Sequence, residues 1–309
     1  MGSMGEIEEN RKRLLLGVAA GIVALLIWGA WPVISRYAMQ QTLDLWDIMV
    51  LRFGVSGIIL LPLVLRRGTG GLGWPKAIFL AATAGLFYVT LVMNGLLVAP
   101  ASHAGTVIPA TMMTASTIGA WLLLREPLPA SKILGLLLIV AGIGVLAWKT
   151  LSGTGIGDIS GYVWFVAGGF TWAAYTIAVK AWNGDALHTT ALVSVLSIIV
   201  LLPWYIATGR ADGLLNAPVD ELLFQGVFQG VLVALVALLT FTQSVNLLGA
   251  SRAAVFAAGV PCMATLLAWP VLGEQPGIGG ALALLLVSTG MLVVLGILRL
   301  PRRRKIAEA

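Results

Sequence analysis

Two short stretches, residues 28–36 (WGAWPVISR) and 172–180 (WAAYTIAVK), decide the fold because the second is a faint copy of the first. Each has aromatic residues at its first and fourth positions and a basic residue at its ninth. The two stretches are 144 residues apart, and the same offset places Gly17 opposite Gly161. The chain is therefore predicted to contain two related halves.

A second match lies toward the end of each half. Glu126 precedes an apolar run that ends at Gly142, and Glu274 precedes an apolar run that ends at Gly290. These two matches are 148 residues apart. The small change of offset is what loops of unequal length between equivalent helices would produce. Two related and strongly apolar halves are the architecture of many membrane transporters.

The composition indicates a membrane protein. Of the 309 residues, 59% are hydrophobic and 10% are charged, and the mean hydropathy is +0.97, whereas soluble domains carry about 25% charged residues. The net charge of +6 lies in short clusters between apolar runs, so no exposed basic domain remains to bind nucleic acid. The single cysteine, Cys262, cannot form an internal disulfide and is expected to pack as a small apolar residue.

Breaks in the apolar pattern delimit ten candidate helices, each near the length of about 20 residues that spans a bilayer. Their approximate limits are 14–37, 45–65, 75–98, 101–124, 131–149, 158–182, 187–208, 219–247, 250–272 and 277–298. The first run lacks a small-residue cleavage pattern, so we predict a retained helix and not a signal peptide.

The ten helices divide into two repeats of five, residues 14–149 and 158–298. A tail at 1–13, whose first four residues resemble an addition made for expression, and a basic tail at 299–309 flank them. Because five is odd, the second repeat must enter the membrane from the opposite side. The predicted fold is an all-α membrane protein in which ten transmembrane helices form two inverted five-helix repeats around a central cavity. Duplication kept only for packing is the alternative.

The basic residues predict the orientation. If successive connections alternate between the two sides, one side carries fifteen Lys and Arg residues and the other carries three, with Arg52 left inside a helix. Cytoplasmic loops carry the excess of Lys and Arg. We therefore predict a multi-pass protein of the cell inner membrane with both termini in the cytoplasm.

The duplicated layout resembles the EamA family of the drug/metabolite transporter superfamily. The resemblance covers residues 14–298 and depends on the aromatic and basic pattern of each first helix, together with the Glu and Gly pattern around each fourth and fifth helix. Within the family the chain is similar to bacterial aromatic amino acid exporters of the YddG type. Those exporters have aromatic residues just ahead of the fourth-helix proline, where this chain has residues 106–108 (TVI). The resemblance implies ten helices around a central cavity and export of amino acids or similar metabolites.

Aromatic residues of the two first helices are candidates for the cavity wall. Residues three apart lie on one face of a helix, so Trp28 with Trp31 and Trp172 with Tyr175 would each form an aromatic strip that stacks on an apolar substrate. Tyr88 of the third helix is a further candidate. Packing between helices, or an interfacial belt of Trp and Tyr, is the other interpretation.

Three amides lie inside predicted spans, where polar side chains are costly unless they face a partner or water. Asn94 of the third helix and Gln243 of the eighth are equivalent when residues 101–102 are set against 250–251, and Asn246 shares a helix face with Gln243. These amides would either bind a substrate or bridge helices.

Two charged or titratable residues, Arg52 and His103, each fit more than one role. Arg52 lies about 12 Å into its helix, where it would attract a carboxylate substrate, pair with Asp44 or Asp47, or extend its charge to the interface. His103, at the start of the fourth helix, would be a satisfied helix terminus or a proton relay.

Prolines inside spans suggest where the helices bend. Pro32, Pro109 and Pro261 fall inside the first, fourth and ninth helices. An internal proline frees a carbonyl group and weakens the helix, so these three are predicted hinges, with packing strain as the alternative.

The sequence contains no G-x-x-x-x-G-K-[ST] loop, so ATP is not expected to drive the protein directly. Two histidines and one cysteine do not suffice for a metal or haem centre, and no cofactor is expected. Because no acidic residue lies deep in a predicted span, passive facilitation fits better than proton coupling.

We therefore predict a transporter, not an enzyme. It would export aromatic or other apolar amino acids, or related small metabolites, by alternating access, with the lipid bilayer and a small-molecule substrate as its partners. The alternatives are a membrane-embedded enzyme acting on a lipid or isoprenoid substrate, and an adaptor that transports nothing.

Overall fold

The computed structural model describes the backbone of residues 2–153 and 157–298, with side chains from residue 8 onward. The described chain is helical throughout apart from its connections. The ten long helices are α1 (Gly2–Met39), α2 (Leu45–Arg67), α3 (Trp74–Val98), α4 (Ala101–Leu124), α5 (Ala130–Leu151), α6 (Ile159–Ala181), α7 (Ala186–Ala207), α8 (Val219–Leu248), α9 (Ala250–Leu272) and α10 (Ile278–Val294). A short helix, Ala211–Asn216, lies between α7 and α8. The predicted basic tail, 299–309, lies outside the described residues.

The helices have the length and surface of membrane spans. Within the described ranges, nine are long and apolar enough to cross a bilayer, and α10, at 17 residues, is at the lower limit of the usual range. Large apolar side chains such as Ile58, Leu65 and Leu123 face outward, each more than two-thirds exposed. Exposing an apolar surface of this kind to water is unfavourable, whereas contact with lipid chains is not.

Aspartate residues cap the starts of several helices. Asp44 and Asp185 precede α2 and α7. The Asp44 carboxylate accepts two backbone N–H groups of the first turn, and the Asp185 carboxylate accepts one. These two caps are 141 residues apart, so they mark equivalent second helices. Asp158 caps α6 in the same way, and the N–H of Ser160 lowers the pKa of that carboxyl below its usual range.

The packing of the helices follows the sequence repeat. α1 of the first half packs against α8 and α9 of the second half, and its counterpart α6 packs against α3 and α4 of the first half. Equivalent helices also pack on each other, as α2 on α7, α4 on α9 and α5 on α10. The face of the bundle at which α1 begins is called the near face below, and the face at which α1 ends is the far face.

The glycine contacts between α5 and α10 are also related by the repeat. A Cβ at Gly290 would lie 2.6 Å from the carbonyl oxygen of Gly135, and a Cβ at Gly142 would lie 2.9 Å from that of Ala283. The offset of 148 residues exchanges Gly135 with Ala283 and Gly142 with Gly290, so each contact is the image of the other. Small residues therefore set the close approach of these two helices.

A second pair of image contacts joins each first helix to the third helix of the other half. A Cβ at Gly17 would lie 2.6 Å from Cγ of Leu248, and a Cβ at Gly161 would lie 2.3 Å from Cβ of Ala99. The predicted equivalence of the two glycines thus corresponds to equivalent packing.

The third helices, α3 and α8, are irregular at matching positions. Each contains a π-helical segment, Ala82–Leu86 in α3 and Gly226–Val236 in α8, and the two segments begin 144 residues apart. Gly85 has non-helical torsions (φ −95°, ψ −108°), and a Cβ there would meet Oγ of Ser197 at 2.2 Å. Segments of this kind are frequent at functional sites.

Interior prolines are more numerous than the sequence indicated. Pro32, Pro109 and Pro261 lie inside α1, α4 and α9 as predicted, but other helices also contain interior prolines. These are Pro62 in α2, Pro203 in α7 and Pro270 in α9. An interior proline alone therefore does not distinguish a hinge here.

Candidate functional site

Four of the predicted aromatic residues form one continuous group between the two halves. The rings of Trp31 (α1) and Tyr88 (α3) stack with centroids 5.7 Å apart. Tyr88 also contacts Trp172 (α6) at 4.7 Å, and Trp172 contacts Tyr175 at 5.4 Å. These four residues are called the central aromatic group.

The central aromatic group lies near the middle of the bundle. Trp31 lies eight residues before the end of α1 and Tyr88 ten before the end of α3, so they are about 12 and 15 Å from the far face. Trp172 lies thirteen residues into α6, about 20 Å from the same face. A hydrocarbon core is about 30 Å thick, so Trp31, Tyr88 and Trp172 lie close to its midplane.

Buried amides hold Trp31 in place. Its Nε1 donates a hydrogen bond to Oε1 of Gln229 on α8 at 3.0 Å. Nε2 of Gln229 donates to Oγ of Ser35 at 3.0 Å and to Oε1 of Gln225 at 3.3 Å. These four residues form one hydrogen-bonded chain, and only Trp31 among them is a candidate in the sequence analysis. The signal was available, because Gln225 and Gln229 are four apart in an otherwise apolar run.

Arg52 of α2 borders the same group. The side chain is buried, its guanidinium carbon lies 5.2 Å from the ring centroid of Trp31, and its Nη1 has no hydrogen-bond partner among the described residues. A cation against an aromatic face is attractive.

The expected partners of Arg52 are engaged elsewhere. Asp47 accepts hydrogen bonds from the Tyr205 hydroxyl and from the backbone N–H of Asp44. The Asp44 side chain forms an ion pair with Arg210 at 3.1 Å. The predicted pairing of Arg52 with either aspartate is therefore wrong, and because the arginine is buried it does not extend to the interface either.

The remaining aromatic and amide candidates lie outside the central aromatic group. Trp28 packs against Phe241 of α8, with centroids 5.1 Å apart. Asn94 donates to the backbone carbonyl of Thr90 in its own helix at 2.7 Å. Gln243 and Asn246 are exposed toward the near end of α8. Their predicted role in substrate binding stays a prediction.

His103 is hydrogen-bonded at the far face. Its Nδ1 lies 2.7 Å from the hydroxyl of Tyr162, which also lies 3.0 Å from Oγ1 of Thr150. The residue borders a small cavity of about 180 Å³, whose polar wall includes Glu274. This arrangement favours the interpretation of a satisfied helix terminus.

Two ion pairs join the end of each first helix to the other half of the protein. Arg36 at the end of α1 pairs with Glu274 at 3.3 Å, and Lys180 at the end of α6 pairs with Glu126. The basic residues are 144 apart and the acidic residues 148 apart, as the two sequence matches require. The pairs are therefore images of each other, one at the far face and one at the near face.

The far-face pair is part of a closed arrangement. The Glu274 carboxylate accepts the backbone N–H groups of Ala101 and Ser102 at 2.9 Å each and the Ser102 hydroxyl at 2.7 Å. It thus caps the start of α4, where the helix dipole favours a negative charge. The side chains of Arg36 and Glu274 are only 21% and 11% exposed.

The near-face pair is open by comparison. Lys180 and Glu126 are 61% and 34% exposed, and Lys180 lowers the pKa of the Glu126 carboxyl below its usual range. Ala250 and Ser251, the equivalents of the capped residues, are exposed, and neither is bonded to Glu126 in the part of the chain that the structure describes.

The burial of α4 shows the same difference. α4, which is described along its whole length, buries residues from its far end only as far as Thr111. Its counterpart α9 instead buries residues along most of its length, from Ala253 to Ala268. The burial of α4, together with the two ion pairs, therefore indicates tighter packing toward the far face than toward the near face.

A large apolar cavity of about 1010 Å³ lies in the near half, between α3, α4, α5 and α6. Its wall includes Ile118, Leu122 and Phe170. Phe170 lies on the opposite face of α6 from Trp172, by the helical period of 3.6 residues. The residues that line this cavity in the described ranges include Ala173 and Ala174 but none of the four residues of the central aromatic group. Among the described residues, no three His, Cys, Asp or Glu side chains lie together as metal ligands would.

The fold and the placement of the aromatic group define a multi-pass membrane protein built from two inverted five-helix repeats. The sequence profile of the EamA-like transporter family matches it twice, over residues 15–148 and 159–296. The chain therefore belongs to the EamA family, whose members are transporters of the drug/metabolite superfamily, and the predicted family resemblance is confirmed.

Individual comparisons agree with this assignment. The uncharacterized transporter YyaM of Bacillus subtilis (strain 168) is 26% identical over 174 residues, which are 55% of this chain and 54% of that relative. The chain thus matches about half the length of this curated relative. A solved crystal structure of a protein is 18% identical in sequence, covers 93% of this chain and 97% of its own chain, and has a TM-score of 0.60. That likeness supports the fold alone.

Proposed function

We propose that this transporter exports aromatic or other apolar amino acids, or related small metabolites, and that the central aromatic group binds the substrate side chain. The observation that carries this proposal is the contact of Trp31 and Tyr88 from the first half with Trp172 from the second half, near the membrane midplane. Sites of secondary transporters lie at that depth, at the interface of the repeats.

The chemistry of the group suits an apolar side chain. Aromatic rings attract another ring or an aliphatic chain, each contact contributing about 0.5–1.5 kcal/mol beyond burial. The hydrogen bond from Trp31 to Gln229 fixes the orientation of one ring, so the wall is preorganised. A moderate number of such contacts would favour binding without trapping the substrate.

The difference between the two faces supports alternating access. Glu274 closes the far face on the start of α4, whereas its equivalent Glu126 leaves the start of α9 exposed. We propose that the repeats, residues 14–149 and 158–298, exchange these arrangements, so that Glu126 caps α9 when Glu274 releases α4. Pro32, Pro109 and Pro261 are the proposed hinges, together with the π-helical segments of α3 and α8.

We propose the orientation that the positive-inside rule predicts, with both termini in the cytoplasm of a cell whose inner membrane holds the protein. The near face is then cytoplasmic, and the structure corresponds to a state facing the cytoplasm. A substrate would reach the central aromatic group from inside and leave through the far face.

We propose passive facilitation as the mode of transport. The one acidic residue buried in the described part of a span, Asp47, lies in the first turn of α2 and is hydrogen-bonded to Tyr205. Glu126 lies in a connection, and because its pKa is lowered by Lys180 it stays ionised throughout the physiological range. Neither carboxyl group is placed to carry a proton across the membrane.

Flux through purified protein tests this function directly. In proteoliposomes loaded with radiolabelled L-phenylalanine, we expect protein-dependent release that follows the substrate gradient and is unchanged by an imposed pH gradient. Empty liposomes of the same lipid are the control. Failure to release phenylalanine or any other amino acid would remove the proposal and leave the enzyme or adaptor alternatives.

A further inference from the structure

We propose that Arg52 is the residue that binds the substrate's carboxylate, so the transporter selects carboxylate-bearing molecules over amines and neutral compounds of the same shape. This inference rests on the proposed function, because it assigns the polar end of the substrate to a residue beside the central aromatic group. It also supplies the specificity that aromatic contacts alone do not provide.

The first observation is that Arg52 is a buried charge with an unsatisfied hydrogen-bond donor. The side chain is 9% exposed, and its Nη1 is buried without a hydrogen-bond partner among the described residues. A charged residue inside a membrane span is expensive and normally pairs with another group or faces a water-filled pathway. The unpaired guanidinium is therefore suited to an anion that arrives from outside the protein.

The second observation is that the acidic residues near Arg52 in sequence have other partners. Asp47 is held by the Tyr205 hydroxyl, and Asp44 by Arg210. In the ranges that the structure describes, the ion pairs do not include Arg52. The positive charge is therefore not neutralised by the protein.

The third observation is the position of the charge relative to the rings. The guanidinium carbon lies 5.2 Å from the centroid of Trp31, which itself stacks on Tyr88. A carboxylate bound to Arg52 would place the rest of a small amino acid over these rings. One charged end and one apolar side chain would thus be recognised by adjoining parts of a single site.

The repeat supplies a fourth, independent observation. The caps Asp44 and Asp185 fix an offset of 141 residues between α2 and α7, which places Val193 at the position of Arg52. Val193 is buried in the core of the bundle. The fold therefore accommodates an apolar residue at the equivalent position of the second half, and the buried arginine is present in one half only.

Arginine is the appropriate residue for this task. Its planar guanidinium offers several N–H donors in a fixed arrangement that matches the two oxygens of a carboxylate, and charge-assisted hydrogen bonds of this kind are about twice as strong as neutral ones. Lysine would supply the charge without that geometry.

The test begins with the wild-type protein and four related compounds. Proteoliposomes that release radiolabelled L-phenylalanine are challenged with unlabelled L-phenylalanine, 3-phenylpropionate, L-phenylalaninamide and 2-phenylethylamine. The first two retain the carboxylate, and we expect them to compete at least about tenfold better than the last two. Equal competition by all four would overturn the assignment of Arg52 while leaving the proposed function intact.

The variants Arg52→Met and Arg52→Lys, with Arg66→Met as an exposed control in the same helix, localise the effect. We expect Arg52→Met to lose the preference for carboxylates, Arg52→Lys to retain part of it, and Arg66→Met to match the wild type. A folded Arg52→Met protein that keeps the full preference would contradict the inference. If Arg52→Met does not yield monodisperse protein, the wild-type competition and Arg52→Lys decide the question. If wild-type protein releases no phenylalanine, the proposed function itself is overturned.

Discussion

Replacing Gly105 with leucine is expected to reduce transport at least about tenfold. A Cβ at Gly105 would lie only 2.2 Å from Cβ of Ala264, so a larger side chain would force α4 and α9 apart toward the far face. Overpacking of this kind costs about 1–3 kcal/mol, and each 1.4 kcal/mol changes an equilibrium about tenfold. The variant should therefore accumulate in the state that is open at the far face. Uptake of radiolabelled substrate into proteoliposomes measures the loss.

The matched control for Gly105→Leu is Gly144→Leu. Gly144 is also helical, but a Cβ there would have no atom within 4 Å, so transport should be unchanged. Retention of full transport by purified, monodisperse Gly105→Leu would show that close contact between α4 and α9 is not needed in the transport cycle.

Replacing Trp172 with alanine is expected to lower kcat/KM for phenylalanine about tenfold. Trp172 is the ring that joins the two halves of the central aromatic group, through Tyr88 at 4.7 Å and Tyr175 at 5.4 Å. Its loss would remove a stacking surface and loosen the neighbouring rings, at about 0.5–1.5 kcal/mol for each aromatic contact. Initial rates over a range of substrate concentrations give kcat and KM.

Two further variants make the Trp172 result specific. Trp172→Phe should keep most of the activity, because it retains a ring at this position. Trp164→Ala removes a tryptophan from the same helix that is 40% exposed and outside the group, and it should transport normally. Wild-type kinetics in Trp172→Ala would exclude the central aromatic group as the substrate site.

The fold could be predicted from the sequence because the duplication leaves matching charged residues at the ends of equivalent helices. Arg36 and Lys180 follow the aromatic stretches, and Glu126 and Glu274 occupy equivalent connections. The structure brings these four residues together as two ion pairs. Residues at helix ends are readable because turn chemistry and charge interrupt an apolar pattern there.

The sequence predicted only part of the site. Trp31, Tyr88, Trp172 and Tyr175 were selected by spacing and residue type, and the structure brings them together. The role of Gln229 was missed because a helical pattern does not show which helix of the other half it will face. Hydrogen-bond partners that are 198 residues apart depend on how the halves interlock.

The amides show a second limit to predicting the site from the sequence. Asn94 and Gln243 are equivalent in sequence, yet one is half-buried and the other exposed. A repeat predicts equal environments, but a transporter in a single state has one closed and one open face. Under the alternating access that we propose, equivalent residues differ because the two faces are in different conformations. The residue type at a single position does not encode that difference.

The most direct test of alternating access by inverted repeats uses Ser102 and its equivalent Ser251. Ser102 is 9% exposed beneath Glu274 at the far face, and Ser251 is exposed at the near face. Each is replaced singly by cysteine in a Cys262→Ala background and treated from either side of the membrane with a maleimide that does not cross it. Labelling is measured with and without a transported amino acid.

Our account predicts that Ser251→Cys reacts only from the cytoplasmic side and that Ser102→Cys, protected at rest, reacts only from the opposite side. It also predicts that substrate changes the two rates in opposite directions. Labelling of both positions from one side, or rates that rise and fall together, would contradict the inverted exchange of the two halves.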